Sequence, residues 1–87
     1  WYSGFSKIDG GDFCFGKMRP LPEMIGRTIA ELKFSQRYKV IVILIEHEGK
    51  QESPSPTRAF LETDGIWVMG HRSDMDRLLN KSSLDGI

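Results

Sequence analysis

The pattern of apolar and polar positions along the chain predicts four strands. Residues 12–18 alternate between apolar and polar side chains, as expected of a half-buried strand. Residues 38–47 are instead apolar at successive positions, so both faces of this strand should be covered, as in the centre of a sheet. Residues 66–69 form a further strand, and residues 57–61 predict a short edge strand. Helices would cover one face of the central strand, and another subunit is a candidate to cover the other face.

Two short helices complete the predicted order. Thr28 and Glu31 have the capping-box spacing, in which both side chains bond free backbone groups of the first helical turn, and this helix should end near residues 34–36. Ser73 is placed to cap a last helix whose apolar stripe includes Leu78. The order is β-α-β-β-β-α. It indicates an α+β domain with a small antiparallel sheet of about four strands and two short helices on one face.

Length and charge make some classes of function less suitable for this chain. The chain has 87 residues and a formal net charge of zero, which fits one domain and lacks the basic excess typical of nucleic-acid binding. Its longest apolar run, 40–45, is far shorter than the roughly 20 residues of a membrane-spanning helix, so direct membrane insertion is not expected.

Residues 1–11 show no period and are interpreted as a linker or arm from a parent protein, 12–81 as the domain and 82–87 as a tail. A domain this small buries only about 60% of its unfolded surface, which favours a homodimer.

Candidate catalytic groups are few. Cys14 lies within the first strand pattern and is expected to be a buried structural residue. His47 and His71 lie at predicted strand ends near acidic residues. Ordinary solvated loop residues are the main interpretation, and a divalent metal site is the minor one. Arg58, with Arg72 and Arg77, would form an anion site only if the fold collected them. No nucleophile–base pair is visible, so we expect no catalytic residue, no metal and no enzymatic activity.

Four segments in order resemble the TrkA C-terminal domain family, the C-terminal half of the regulator-of-potassium-conductance (RCK) module. They are Gly26-Arg27-Thr28-Ile29-Ala30-Glu31-Leu32, Tyr38-Lys39-Val40-Ile41-Val42-Ile43, the loop prolines Pro54 and Pro56, and Thr63-Asp64-Gly65-Ile66-Trp67-Val68-Met69-Gly70. The closing helix over 74–79 follows them. Two departures stand out: many members carry Arg just after the central strand, where this chain has Glu46-His47, and Thr63 replaces the glycine that usually precedes the turn Asp.

The resemblance implies a cytoplasmic ligand-sensing regulatory domain, at the membrane face, of a cation channel or transporter, with potassium the commonest ion. Such domains form dimers, and in some relatives a cyclic dinucleotide lies in the dimer crevice. Matching positions of the family fold nominate five ligand-binding residues: Ile43, Ile45, His47, Pro54 and Pro56. For each of them, core packing or turn formation is the competing interpretation. The competing function is a structural assembly module of a transporter without a ligand of its own.

Overall fold

The computed structural model describes the backbone of residues 2–7 and 11–85 and the side chains of residues 11–81. The elements are β1 (Tyr2–Lys7), β2 (Phe13–Met18), a 3₁₀ turn (Pro22–Met24), α1 (Ile29–Leu32), α2 (Phe34–Tyr38), β3 (Val40–His47), β4 (Lys50–Glu52), β5 (Gly65–His71) and α3 (Arg72–Asp85). Within these residues, five strands form one antiparallel sheet in the order β1-β2-β5-β3-β4. The predicted α+β class with an antiparallel sheet is confirmed.

The sheet differs from the predicted one at both of its edges. Tyr2–Lys7, for which the sequence shows no period, forms β1 and pairs with β2. The edge strand expected over 57–61 is wrong: Thr57–Leu61 makes only isolated bridges, Phe60 to Ile25 and Ala59 to Thr28. On the β3 side of the sheet the edge strand is β4, which is polar and exposed and therefore carries no apolar alternation that the sequence could reveal.

A tight hairpin turn explains why β4 follows β3 directly. His47 pairs with Lys50, which leaves Glu48 and Gly49 as a two-residue loop. Both loop residues have positive φ, 50° and 79°, the combination that matches the right-handed twist of the flanking strands. The turn therefore sets the register of the hairpin, whose second strand, β4, has three residues.

The first predicted helix begins as expected but is interrupted. Thr28 Oγ1 accepts from the Glu31 amide at 3.0 Å, and Glu31 Oε1 accepts from the Thr28 amide at 3.0 Å, so the capping box is present. At Lys33 the backbone turns into the left-handed region, with φ of 50°, and ends α1. The chain re-enters a helix at Phe34, so that two short helices, α1 and α2, replace the single one predicted. The last helix, α3, continues to Asp85 and so includes most of the predicted 82–87 tail.

The core lies between the helices and one face of the sheet. Its largest fully buried side chains include Phe34, Phe60, Met18, Ile45, Ile66 and Met75. Cys14 is buried as predicted. The opposite sheet face also carries apolar residues. There, Phe13 is 48% exposed and Ile41 is 55% exposed, while Phe15 stacks at a tilt against Trp67.

Within the described part of the chain, no helix is both long and apolar enough to cross a membrane.

Candidate functional site

The main candidate site is a groove of about 440 Å³ beside the first half of β3. The α1–α2 segment forms one wall and contributes Ile29 and Phe34. The loop after β4 forms the other wall and contributes Pro54 and Pro56, and Ile41 of β3 lies between the two walls. The loop is held against α1 because the Ala30 amide donates to the carbonyl oxygen of Pro56 at 3.2 Å.

The groove runs along an open strand edge. Because β4 pairs with β3 only from Ile45 to His47, residues 40–44 of β3 have β5 on one side. Among the described residues, no strand pairs with the other side of this stretch. An open edge presents backbone N–H and C=O groups that another strand can bond. Residues 40–44 therefore offer an apolar groove and unpaired backbone groups to a second chain.

Polar groups lie at the α1–α2 side of the groove. Lys33, at the break between the helices, supplies a cation, and Ser35 and Gln36 follow it. All three are exposed. Apolar and aromatic walls with a few polar groups are typical of small-molecule sites, in which the polar groups fix the orientation of the ligand. The groove therefore suits a flat, largely apolar group that carries a negative charge at one end.

The structure brings together only two of the five predicted ligand residues. Pro54 and Pro56 line the groove. Ile45 lies in the core and is 0% exposed. The physical reason is a β-bulge: Val42 pairs with Val68 but Leu44 pairs with Trp67, so Ile43 is an extra residue. A bulge reverses the faces of all later positions, and it therefore turns Ile45 towards the helices.

Ile43 and His47 lie elsewhere on β3. Ile43 is 38% exposed at the bulge and is not among the groove-lining residues. His47 ends the strand and faces Asp64 rather than the groove, with Nδ1 lying 3.0 Å from Asp64 Oδ1. Ile29, Phe34 and Ile41 are groove residues that the sequence interpretation missed. Phe34 is also a core residue, and the hydrophobic pattern alone does not separate core positions from groove positions.

A cluster of charged residues lies around Asp64, whose side chain is 0% exposed. Arg58 donates from Nη1 to Oδ2 at 2.7 Å and from Nη2 to Oδ1 at 3.1 Å, and the Leu61 amide donates to Oδ2 at 2.8 Å. Burial alone would raise the pKa of the Asp64 carboxyl, but the bonds from Arg58 and Leu61 outweigh it and hold this pKa below its usual value. The same pairing raises the pKa of Arg58.

The other candidate chemistry of the sequence is not assembled. His47 and His71 end antiparallel neighbours, β3 and β5, and so lie at opposite ends of the sheet. Arg77 pairs with Asp74 on α3 at 3.0 Å, away from Arg58. Among residues whose side chains are described, no group of three or more His, Cys, Asp and Glu could hold a metal ion.

Comparison with known protein families gives a match over most of the chain. Residues 19–83 match the family described as the TrkA-C domain. No curated protein matches the chain by sequence.

Solved structures share the fold. The RCK C domain of the potassium transport protein KtrA, in complex with cyclic diadenosine monophosphate (c-di-AMP), has a TM-score of 0.68 at 22% identity and covers 74% of this chain and 76% of its own. The RCK_C domain dimer of S. agalactiae BusR with c-di-AMP has a TM-score of 0.67 at 25% identity and covers 78% of this chain and 93% of its own. The GsuK RCK domain has a TM-score of 0.74 at 18% identity.

The GsuK match covers 91% of this chain but only 18% of the GsuK chain. BusR bound to its promoter DNA matches over 91% of this chain and 41% of its own. The present chain thus spans less than half the length of each of these longer relatives.

Proposed function

The chain belongs to the TrkA-C domain family, and from that membership we propose that it is the ligand-sensing regulatory domain of a membrane cation transporter or channel, with potassium as the first candidate ion. In this proposal the groove beside β3 is the ligand site, and a second copy of the chain completes it. The domain acts at the cytoplasmic face of the membrane. It has no catalytic role.

The observation that carries the proposal is the groove itself, open along an unpaired strand edge. A two-fold dimer that joins two such edges would bring two grooves together, each with a Lys33 and a pair of loop prolines. A cyclic dinucleotide has matching two-fold chemistry, since it carries two flat bases and two phosphates. The c-di-AMP complexes of KtrA and BusR make c-di-AMP the first ligand to test.

Regulation follows from differential affinity. A ligand shared by two copies stabilises the arrangement in which both grooves face it, and it shifts an attached transporter only as far as it prefers that arrangement. We therefore expect ligand binding and dimerisation to strengthen each other.

The test is calorimetric titration of the purified chain with c-di-AMP, using cyclic di-GMP and NAD as comparison ligands. We expect saturable c-di-AMP binding at one ligand per dimer, weakened in Lys33→Gln and unchanged in Lys50→Gln, a matched change on exposed β4 outside the groove. In thermal unfolding, ligand at 100 times its dissociation constant should add about 2.7 kcal/mol. Saturable binding that survives unchanged in Lys33→Gln would contradict the placement of the site in this groove.

The second candidate function is an assembly module in which the dimer is the whole role. The open β3 edge and the exposed apolar residues of the outer sheet face favour it, because both can support subunit contacts without a small ligand. A stable dimer that shows no saturable shift with c-di-AMP, cyclic di-GMP or NAD would favour this alternative.

A further inference from the structure

We propose that Arg58 and Asp64 form a latch that positions the Pro54–Pro56 wall of the groove and so sets the affinity for the ligand. The effect on ligand affinity depends on the function proposed above. The positioning of the wall does not, and it is measured separately below.

The first step is the saturation of Asp64. A carboxylate offers about four acceptor positions, and this one accepts two bonds from Arg58, one from the Leu61 amide and one contact from His47. These partners come from β3, from the loop and from the turn before β5. The Asp64 side chain therefore joins three segments at a point without solvent, where bidentate charge-assisted bonds are strong.

The second step is the reach of Arg58 into the loop. Its Nε lies 2.9 Å from Glu52 Oε1 on β4, and its backbone amide donates to the Ser55 carbonyl oxygen at 3.2 Å. Ser55 lies between the two prolines of the wall. Arg58 thus connects the wall residues directly to β4 and to the buried carboxylate.

The third step is that, within the described residues, hydrogen bonds attach the wall on two sides. On the groove side, the Pro56 carbonyl oxygen accepts from the Ala30 amide of α1. On the far side, the attachment is the latch. If the latch loosens, the bond from Ala30 to Pro56 should open more often, because it is then the main hydrogen bond holding this part of the loop against α1.

The test begins without ligand, by NMR-detected amide hydrogen exchange on the 87-residue chain. In Arg58→Lys, which keeps the charge but loses the two-pronged geometry, we expect the Ala30 amide to exchange about 10-fold faster. The Val68 amide in the central strand β5 should be unchanged, which separates local loosening from loss of global stability. Arg77→Lys, at the exposed pair on α3, is the matched control and should leave the Ala30 amide unchanged.

A second variant covers the case in which Arg58→Lys does not fold. Glu52 is exposed and bonds Arg58 only through Nε, so Glu52→Gln should fold and give a smaller acceleration at Ala30. An unchanged Ala30 exchange rate in the folded variants overturns the latch, whether or not a ligand binds.

The ligand arm uses c-di-AMP as the probe. We expect Arg58→Lys to weaken c-di-AMP binding about 10-fold and Arg77→Lys to leave it unchanged. That result would support the proposal. Faster Ala30 exchange with unaltered c-di-AMP affinity overturns the claim that the latch sets affinity. Faster exchange in a chain whose wild type binds no c-di-AMP supports the latch and counts against the proposed ligand.

Discussion

Replacing Ile41 with aspartate should abolish dimerisation and leave the fold intact. Ile41 lies on the open part of β3, lines the groove and is 55% exposed. Because burying a whole isoleucine side chain contributes about 1.5–3 kcal/mol, the half that is buried here accounts for about 1 kcal/mol of folding free energy. A domain with several kcal/mol of total stability tolerates this loss.

Ile41→Asp should cost a dimer joined along β3 more free energy than it costs the fold of the single chain. The two-fold axis would place both copies of residue 41 near the interface, so the variant would bury two like charges without partners, at several kcal/mol. A loss of about 2.7 kcal/mol already weakens the dissociation constant by about 100-fold. We therefore expect Ile41→Asp to sediment as a monomer at concentrations where the wild-type chain is a dimer, with circular dichroism unchanged.

Two comparisons make the result decisive. Ile25→Asp makes the same change at a residue that is 42% exposed and lies outside the groove, and it should remain dimeric. Ile45→Asp places a charge at a fully buried core position and should unfold the domain. A folded Ile41→Asp chain that still dimerises like wild type would refute the β3-edge interface, and with it the shared groove.

Three further outcomes follow from the structure. Thr28→Ala removes the capping bond to the Glu31 amide and should lower the free energy of unfolding in urea by about 1 kcal/mol, and an unchanged midpoint would show that the cap contributes nothing. Phe60→Ala empties a fully buried site against Phe34 and should cost about 3–5 kcal/mol, so a loss below 1 kcal/mol would contradict the packing described here. The pKa of Asp64 is lowered in the folded state, so its stabilisation is present above the ordinary carboxyl range, near pH 4, and is lost as pH falls through the lower folded-state value. Acid unfolding should show this loss in wild type, and a folded Asp64→Asn chain with the same acid dependence would assign it to other carboxylates.

Local signals in the sequence predicted much of this fold. The alternation over 12–18, the apolar run of β3 and the capping box at Thr28 each depend on neighbouring residues, and each appears in the structure. The break at Lys33 was missed because a left-handed lysine carries no compositional mark, unlike the glycine usual at such positions. β4 was missed because an exposed edge strand needs no apolar face.

The candidate site was harder to predict for one physical reason. A strand that is apolar on both faces gives no internal signal of which residues point where, so a bulge at Ile43 goes unnoticed. The resemblance nominated Ile45 as a ligand residue, with core packing as the competing interpretation, and the structure buries Ile45 in the core. Pro54 and Pro56, which the resemblance also nominated, line the groove, and their role in ligand binding stays a prediction.

The open edge of β3 has a consequence for solubility. Its apolar run, Val40–Ile45, is β-branched at nearly every position and carries no charge, the composition of segments that stack into fibrils when their edges stay bare. Charged residues flank the run on both sides, Lys39 before it and Glu46 after it, and such flanking charges oppose stacking. Under conditions that dissociate the proposed dimer, the charges of Lys39 and Glu46 would be the main local features that oppose aggregation. Storage of the isolated chain should then be limited by fibril growth rather than by unfolding.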